Sequence, residues 1–250
     1  MTTARNVVIT GAAGGIGSEI TNRFLRNGDT VLASDLRQGA LDEWRTRWDS
    51  DGPNPSLHTF PADVSDEASL AELAEAARQR LGTVDVLVNA AGHFPQTPVE
   101  EITGEEWRRV VEVNLSGTFY TVQALLPLIK RSERGRIINI GSGGMFFGVP
   151  MQAHYIAAKA GVMGLTRVLA RELGNDHPIT VNLVTPGLVV TPAAVAVLPE
   201  PLLAMQRDLR SLHRDEVPDD VVGSVFFLAS DDAAFITGQT LNVDGGLTMW

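Results

Sequence analysis

The chain contains no cysteine among its 250 residues, so disulfide bonds and metal sites built on thiolates are excluded. Its five histidines are scattered along the sequence. None of them forms the H-E-x-x-H pattern that places two zinc ligands on one helix face. We therefore expect neither a structural nor a catalytic metal.

Basic residues are also scarce, since 20 Lys and Arg stand against 30 Asp and Glu and the formal net charge is −10. This balance argues against a surface for nucleic acid or for an anionic membrane. No apolar run is long enough to cross a bilayer. Strand-like residues begin by Val7, which leaves no room for a signal peptide. We therefore expect a cytoplasmic protein that binds neither nucleic acid nor membrane.

What is present is the composition of an ordinary globular enzyme, with 44% hydrophobic and 20% charged residues. The length fits one large α/β domain. Predicted strands alternate with predicted helices, and no linker, internal repeat or low-complexity segment divides the chain. This alternation predicts a parallel sheet covered by helices on both faces, in a single domain over residues 1–250.

A glycine-rich loop directly follows the first predicted strand, residues 6–10. The loop reads G-A-A-G-G-I-G at residues 11–17, and a helical stretch follows it to Asn27. This order lets backbone N–H groups and a helix N-terminus hold a pyrophosphate. The spacing T-G-x-x-x-G-x-G differs from the usual G-x-G-x-x-G, but the flanking strand and helix support a dinucleotide site. The alternative is a glycine-rich turn without a ligand.

A carboxylate ends the second predicted strand, residues 30–35. Asp35 lies about 20 residues beyond the glycine loop, where an acidic side chain accepts hydrogen bonds from the adenosine ribose. Arg37 could instead meet a 2′-phosphate, but Asp35 would repel that phosphate. We therefore expect NAD rather than NADP, with Arg37 solvated.

Three polar side chains follow the strand predicted at residues 136–140. Ser142 lies just past its end, and Tyr155 and Lys159 stand at i and i+4 of a helix predicted over residues 152–173. This trio suits proton transfer to or from an alcohol oxygen, with Ser142 holding that oxygen. Bringing a phenol from ~10 to neutral pH costs about 4 kcal/mol. An ammonium at about 4 Å supplies that order of energy, so we expect Lys159 to lower the pKa of Tyr155.

The alternative interpretation of the same spacing is an ordinary tyrosine at the edge of the core beside a solvated lysine.

Three other boundaries are predicted. Thr103 and Glu106 form a capping box for a helix that continues through Asn114. Pro127 kinks or divides that segment. Residues 188–217 mix apolar residues with prolines and no single period, which is typical of a lid over a substrate site, here named the lid segment.

Taken together, these motifs resemble the short-chain dehydrogenase/reductase family, in its single-domain branch, over essentially the whole chain. The resemblance rests on T-G-A-A-G-G-I-G from Thr10, N-A-A-G from Asn89, P-G-L-V-V-T from Pro186, and the closing I-T-G-Q-T-L-N-V-D-G-G. It implies a Rossmann-type doubly wound α/β fold, hydride transfer on a nicotinamide cofactor, and a homotetramer. It also implies a catalytic tetrad of Asn114, Ser142, Tyr155 and Lys159.

In that family Tyr155 would be the acid/base, and Asn114 would hold a water that links Lys159 to solvent. An Asn that merely satisfies backbone groups in a helix kink is compatible with that role. Asp63 and Val64 would contact adenine. The implied cofactor-binding residues are Gly11, Gly14, Gly15, Ile16, Gly17, Asp35, Asp63, Val64, Asn89, Ala90, Ala91, Gly92, Tyr155, Lys159, Pro186, Gly187, Val189 and Thr191.

The chain departs from the family pattern at Ala90, where a second Asn is frequent, and at Gly141, where a second Ser is usual. Neither position carries a proposed catalytic atom. Val189 and Thr191 match the positions that fix the nicotinamide carboxamide.

Two loops point to a kind of substrate. G-H-F-P-Q-T-P at residues 92–98 is similar to 1-phenylethanol-type alcohol dehydrogenases, and G-M-F-F-G-V-P at residues 144–150 is similar to pyridoxal 4-dehydrogenases. We therefore expect oxidation of an aromatic or cyclic secondary alcohol, or reduction of the ketone. The pocket residues expected are Ser142, Met145, Phe146, Met151, His93, Phe94 and Leu188. The alternatives are a 3-ketoacyl carrier-protein reductase, which would want NADPH and basic residues, and a non-catalytic cofactor-binding regulator.

Overall fold

The computed structural model describes residues 4–48 and 54–249, and within them seven parallel strands form one sheet. The strands are β1 (Asn6–Thr10), β2 (Thr30–Asp35), β3 (Leu57–Pro61), β4 (Val86–Asn89), β5 (Arg136–Ile140), β6 (Thr180–Pro186) and β7 (Thr240–Val243). Their spatial order is β3-β2-β1-β4-β5-β6-β7, and every neighbouring pair is parallel. The prediction of a doubly wound parallel α/β sheet is confirmed.

Helices cover both faces of this sheet. They are α1 (Gly15–Arg26), α2 (Gln38–Trp48), α3 (Glu67–Arg80), α4 (Gly104–Val111), α5 (Gly117–Ile129), α6 (Gly144–Phe147), α7 (Ala153–Asp176), α8 (Pro192–Val197), α9 (Glu200–Leu209) and α10 (Pro218–Leu228). A π-helical turn, Glu112–Ser116, joins α4 to α5. No helix in the described part of the chain is both long and apolar enough to cross a membrane.

The sheet separates two apolar cores because successive strand residues point to opposite faces. Val7 and Ile9 of β1 pack with Phe24 of α1 on one face. Val8 of the same strand packs on the other face, with Leu125 of α5. Strands buried on both faces read as continuous apolar runs, which is why β1 and β5 were recognisable in the sequence.

The order of the strands fixes where a ligand can bind. It reverses between β1 and β4, and in open α/β sheets ligands occupy the crevice at the carboxyl ends of the strands beside such a reversal. The glycine loop leaves β1 at this edge, and the loops after β4, β5 and β6 leave at the same edge. All the predicted site motifs therefore share one edge of the sheet.

Several boundaries differ from the sequence predictions. Pro127 does not divide its helix but lies in the last turns of α5, and the break comes earlier, at the π-helical turn. The helix α7 continues through Gly174 to Asp176, because the burial of Leu173 against the core outweighs the weak helix preference of glycine. The lid segment contains two helices, α8 and α9, and not irregular chain alone.

The packing of the glycine loop gives a stability prediction. A Cβ added to Gly17 would lie 2.1 Å from the carbonyl oxygen of Gly11, so Gly17→Ala must displace backbone. We expect it to lower the free energy of unfolding by about 2 kcal/mol or more. The control is Gly39→Ala in the first turn of α2, where an added Cβ meets nothing within 4 Å. Urea unfolding should leave the control unchanged or slightly stabilised. Equal losses in both variants would contradict this packing.

Candidate active site

The glycine loop has the backbone geometry of a phosphate cradle. Gly11 has a φ of +67°, and a Cβ there would lie 2.7 Å from the backbone nitrogen of Ala91. Gly14 precedes α1, and no side chain caps the first N–H groups of that helix. Because free helix N–H groups attract anions, these residues fit the pyrophosphate of a dinucleotide.

The lid segment begins directly against this cradle. A Cβ added to Gly15 would lie 2.5 Å from the methyl carbon Cγ2 of Thr191. The hydroxyl of Thr191 accepts a hydrogen bond from the backbone N–H of Ala194 and so caps α8. Val189 is buried beside it. The structure therefore brings Val189 and Thr191, which follow β6, close to the loop that follows β1.

Asp35 lies where the sequence places it, at the carboxyl end of β2. Its Oδ2 accepts a hydrogen bond of 3.1 Å from the backbone N–H of Ala13, in the glycine loop. Arg37 is exposed. A carboxylate thus stands beside the cradle, in the position from which it could accept ribose hydroxyls and repel a 2′-phosphate.

The predicted adenine residues have a partner that the sequence did not reveal. Ser65 donates backbone and hydroxyl hydrogen bonds to Asp63, and Arg109 of α4 lies 3.5 Å from the Asp63 carboxylate. Burial opposes ionisation of this carboxyl, but the Ser65 hydrogen bonds and the Arg109 charge together hold the pKa of Asp63 below its usual value. Val64 is buried against Gly117, whose added Cβ would lie 2.9 Å from its side chain.

Tyr155 and Ser142 meet at the end of β5. The Ser142 hydroxyl lies close enough to the Tyr155 phenol to influence its pKa, and it accepts a hydrogen bond from the N–H of Gly144. The ring of Phe94 stands edge-on to that of Tyr155, with the centroids 6.2 Å apart. Tyr155 as a whole residue is half-buried, but desolvation of its phenol raises its pKa to about 12, while the interaction with Ser142 works in the opposite direction.

Lys159 is buried beneath the same tyrosine. Its Nζ donates a 2.7 Å hydrogen bond to the carbonyl oxygen of Ile140 and lies 5.8 Å from the centroid of the Tyr155 ring. Burial lowers the pKa of Lys159 to about 8. The protein alone therefore does not produce the lowered phenol pKa that the sequence predicts. The reason is that burial favours the neutral form of both groups, and the ammonium is directed at a carbonyl.

Asn114 lies in the π-helical turn and is fully buried. Its amide donates to the carbonyl oxygens of His93 and Val110, and its oxygen accepts from the N–H of His93. Asn114 and Lys159 both lie close to Gly92: a Cβ added to this glycine would be 3.2 Å from Asn114 Oδ1 and 3.9 Å from Lys159 Nζ. Asn114 thus satisfies backbone groups, as the simpler interpretation expects, while lying next to the trio.

A buried histidine, which the sequence did not single out, supports the start of α7. His154 Nδ1 accepts a hydrogen bond from the Tyr155 backbone N–H, so the proton on Nε2 is donated to Glu106 Oε1 at 3.1 Å. The Glu106 carboxylate also accepts from the hydroxyl of Thr97. The predicted cap by Thr103 is present, but the side chain of Glu106 is used in this cluster.

The predicted substrate residues lie on three loops at the same edge of the sheet. Met151 has a φ of +64°, unusual for a residue with a Cβ, and its carbonyl oxygen accepts a hydrogen bond from the N–H of Thr97. His93 as a whole residue is exposed, but its imidazole is partly desolvated, and this desolvation together with the charge of Arg109 lowers its pKa. Met145 and Phe146 lie half-buried on α6, and Leu188 lies half-buried after β6.

Comparisons with known proteins agree with this geometry. A family described as "Enoyl-(Acyl carrier protein) reductase" matches residues 11–248. The chain is 36% identical over 242 residues to the 3-oxoacyl-[acyl-carrier-protein] reductase of Thermotoga maritima, covering 97% of each chain. It is 34% identical over 263 residues to the D-beta-hydroxybutyrate dehydrogenase of Rhizobium meliloti, covering 98% of each.

The fold has close counterparts among solved structures. A short-chain dehydrogenase/reductase from Brucella melitensis, titled glucose/ribitol dehydrogenase, superposes with a TM-score of 0.91 at 32% identity. The match covers 98% of this chain and 97% of that one. The chain therefore belongs to the short-chain dehydrogenase/reductase family of oxidoreductases.

Proposed function

We propose that the protein is an NAD-dependent enzyme that transfers a hydride between nicotinamide and a secondary alcohol or ketone carrying an aromatic or cyclic group. The observation that carries the proposal is the meeting of Ser142, Tyr155 and Lys159 at the sheet edge beside the glycine cradle. A hydroxyl, a phenol and an amine in this order can hold and protonate a carbonyl oxygen. With Asn114, all four tetrad positions are intact, which counts against a regulator without activity.

The residues around the crevice fit a dinucleotide at each of its parts. The glycine loop would hold the pyrophosphate, Asp35 the adenosine ribose, and Lys159 the nicotinamide ribose. Residues 186–191 would lie against the nicotinamide. When bound, the nicotinamide supplies or accepts the hydride, and its oxidised form brings a positive charge into the site.

In the proposed reaction, Tyr155 donates or accepts the proton. With its pKa raised to about 12 by burial, the phenol is a proton donor near neutral pH, as ketone reduction requires. Alcohol oxidation requires the reverse, a phenolate that takes the hydroxyl proton held by Ser142. Positive charge near the phenol favours that phenolate; the oxidised nicotinamide would supply it when bound, and the Lys159 ammonium would add to it only below about pH 8, where the amine is protonated. Oxidation should therefore speed up as the pH rises.

A second candidate is a 3-oxoacyl carrier-protein reductase, which the name of the Thermotoga relative favours. Such an enzyme would want free basic residues for a phosphorylated carrier arm. The three lid arginines that could serve are each paired with carboxylates: Arg207 with Glu200 and Asp215, Arg210 with Glu216, and Arg214 with Asp220. This pairing, together with Asp35, makes us prefer a neutral substrate and NAD.

The first prediction from the proposed function concerns the cofactor. The catalytic efficiency with NAD should exceed that with NADP, because Asp35 repels a 2′-phosphate. Asp35→Ser should shrink this preference about tenfold, equivalent to about 1.4 kcal/mol. The control is Arg37→Ser, which should leave the preference unchanged if Arg37 is solvated. The assignment would be reversed if the wild type used NADP as efficiently as NAD. It would also be reversed if Arg37→Ser abolished the activity with NADP.

The second prediction concerns the acid/base. Tyr155→Phe should lower turnover at least about 100-fold while NADH binding stays nearly intact, because only the proton-transferring oxygen is removed. The matched control is Tyr120→Phe in α5, at the only other tyrosine of the chain. Steady-state rates and NADH titration measure both. Near-normal turnover of Tyr155→Phe would refute the mechanism.

The third prediction concerns the substrate. Phe94 packs on Tyr155, and Met151 lies on the loop bonded to Thr97, so the walls near the phenol are largely apolar. Burying a phenyl group there is worth roughly 2 kcal/mol, or tens-fold in efficiency. Assays should therefore rank 1-phenylethanol above small aliphatic alcohols. Faster turnover of acetoacetyl thioesters than of aryl ketones would favour the second candidate.

We also propose that the chain assembles as a homotetramer. The family resemblance places subunit contacts on the helix that follows Asn114, on α7, and on the last helix and strand. Large apolar side chains stay exposed on or beside these elements, with exposed fractions of 40% for Phe119, 58% for Val168 and 103% for Phe235. In a tetramer these side chains would be covered by contacts with other copies of the chain. Light scattering at micromolar concentration should give four times the 26.9 kDa chain mass. A stable monomer would contradict the proposal.

A further inference from the structure

The lid segment contains a buried ion pair that the mechanism above does not use. Arg210 and Glu216 are 2% and 4% exposed, and Nη2 of the arginine lies 3.2 Å from Oε2 of the glutamate. The neighbouring pair, Arg207 with Asp215, is by contrast 28% and 39% exposed. Burying two charges costs several kcal/mol per ion unless each is well paired, so this pair calls for a specific role.

The two side chains grip one turn of backbone, residues 186–191, between β6 and α8. Nη2 of Arg210 donates a 2.7 Å hydrogen bond to the carbonyl oxygen of Leu188. Oε1 of Glu216 accepts a 3.2 Å bond from the N–H of Gly187. The backbone carbonyl of Glu216 accepts a further 2.7 Å bond from the N–H of Val190. Three of the four peptide groups between Pro186 and Val190 are thus held by Arg210 and Glu216.

The Glu216 carboxylate packs tightly against Gly187. A Cβ added to Gly187 would lie 2.7 Å from Oε2 of Glu216, so only glycine lets the carboxylate approach. At the far end of the turn, Thr191 touches the glycine loop at Gly15. The ion pair therefore determines how far Val189 and Thr191 stand from the cradle on the opposite side of the crevice.

We propose that Arg210 and Glu216 are positioning residues whose ion pair fixes the turn at residues 186–191 in the conformation that receives the nicotinamide end of the cofactor. This inference rests on the proposed function, in which that turn faces the nicotinamide. Neither side chain touches a reacting atom, so the pair acts through cofactor affinity and not through the proton transfer at Tyr155.

The charge of Glu216 is sensitive to pH. Burial raises its pKa to about 7; Arg210 and the Gly187 N–H oppose the rise, while Asp244 and Asp220 add to it. The Glu216 carboxylate also attracts the positive charge of Arg214. Glu216 is thus ionised above that value and protonated below it, where its attraction to Arg210 is lost. NADH affinity should therefore be full above about pH 7 and fall below it.

The test measures NADH binding to the full chain by fluorescence titration. Glu216→Gln keeps the size and one acceptor oxygen but removes the charge. We expect it to weaken NADH binding about tenfold near pH 8, the cost of one charge-assisted hydrogen bond. The control is Asp215→Asn, which removes a carboxylate of the exposed neighbouring pair and should leave the affinity unchanged. An unchanged affinity in Glu216→Gln would overturn the proposal.

The pH dependence separates positioning from general destabilisation. Between about pH 6 and pH 7.5, Lys159 stays protonated, since its pKa is about 8. In this window the wild type should lose NADH affinity as the pH falls, while Glu216→Gln should show the same affinity throughout. Parallel pH curves for the two proteins would contradict the assignment to Glu216.

A double variant addresses the purely structural alternative. Arg210→Met with Glu216→Met removes both charges, so no unpaired charge stays buried and stability should recover toward that of the wild type. NADH binding should remain weak, because the bonds to Gly187 and Leu188 are lost. Wild-type NADH affinity in this double variant would show that the pair only stabilises the fold.

Hydrogen exchange provides a readout that needs no cofactor. The amide of Gly187, whose N–H is donated to the Glu216 carboxylate, should exchange faster in Glu216→Gln than in the wild type or in Asp215→Asn. Equal hydrogen exchange in all three proteins would show that the Glu216 carboxylate does not hold the turn. If the wild type binds no NADH while exchange changes as expected, the proposed cofactor fails and the grip stands, so the two failures are distinguishable.

Discussion

Burial of Tyr155 with Lys159 is the constraint on which the rest of the site depends. The protein buries Lys159 and leaves Tyr155 only half-buried as a whole residue, and desolvation lowers the pKa of the amine to about 8 and raises that of the phenol to about 12. Both shifts favour neutral forms, because an isolated charge is costly in a poorly solvated site. A phenolate here needs positive charge added beside it, and the bound oxidised nicotinamide is the natural source. In the proposed function, proton transfer at Tyr155 is therefore coupled to cofactor binding.

Keeping this pair buried requires that several elements be held against α7. The Ile140 carbonyl at the end of β5 receives the lysine, and Asn114 joins the π-helical turn to the backbone of His93. His154 joins the first turn of α7 to Glu106 on α4. Two of these bonds link α7 or its lysine to a neighbouring element, and the Asn114 bond holds the loop that follows β4. The polar groups that fix the site are therefore side chains that pair with backbone or with each other.

The sequence was sufficient wherever the pattern is local. Continuous apolar strands, the glycine loop and the i, i+4 spacing of Tyr155 and Lys159 could all be recognised without knowing what packs against them. It was insufficient where a distant partner decides. Nothing in the neighbouring sequence indicates that Lys159 turns toward the Ile140 carbonyl. Nothing in it indicates that Arg210 pairs with Glu216 beside the turn that follows β6. The π-helical turn likewise depends on backbone that Asn114 reaches only in the folded protein.

The most direct test is a spectroscopic titration of the phenol. The chain has two tyrosines, so tyrosinate absorbance of the wild type minus that of Tyr155→Phe isolates Tyr155. Without cofactor, the account predicts that the Tyr155 pKa lies near 12, as burial requires. With saturating NAD, the pKa should fall by at least about one unit, since a nearby cation favours the phenolate. A phenol that titrates near ~10 without NAD, or one that NAD leaves unmoved, would contradict the account.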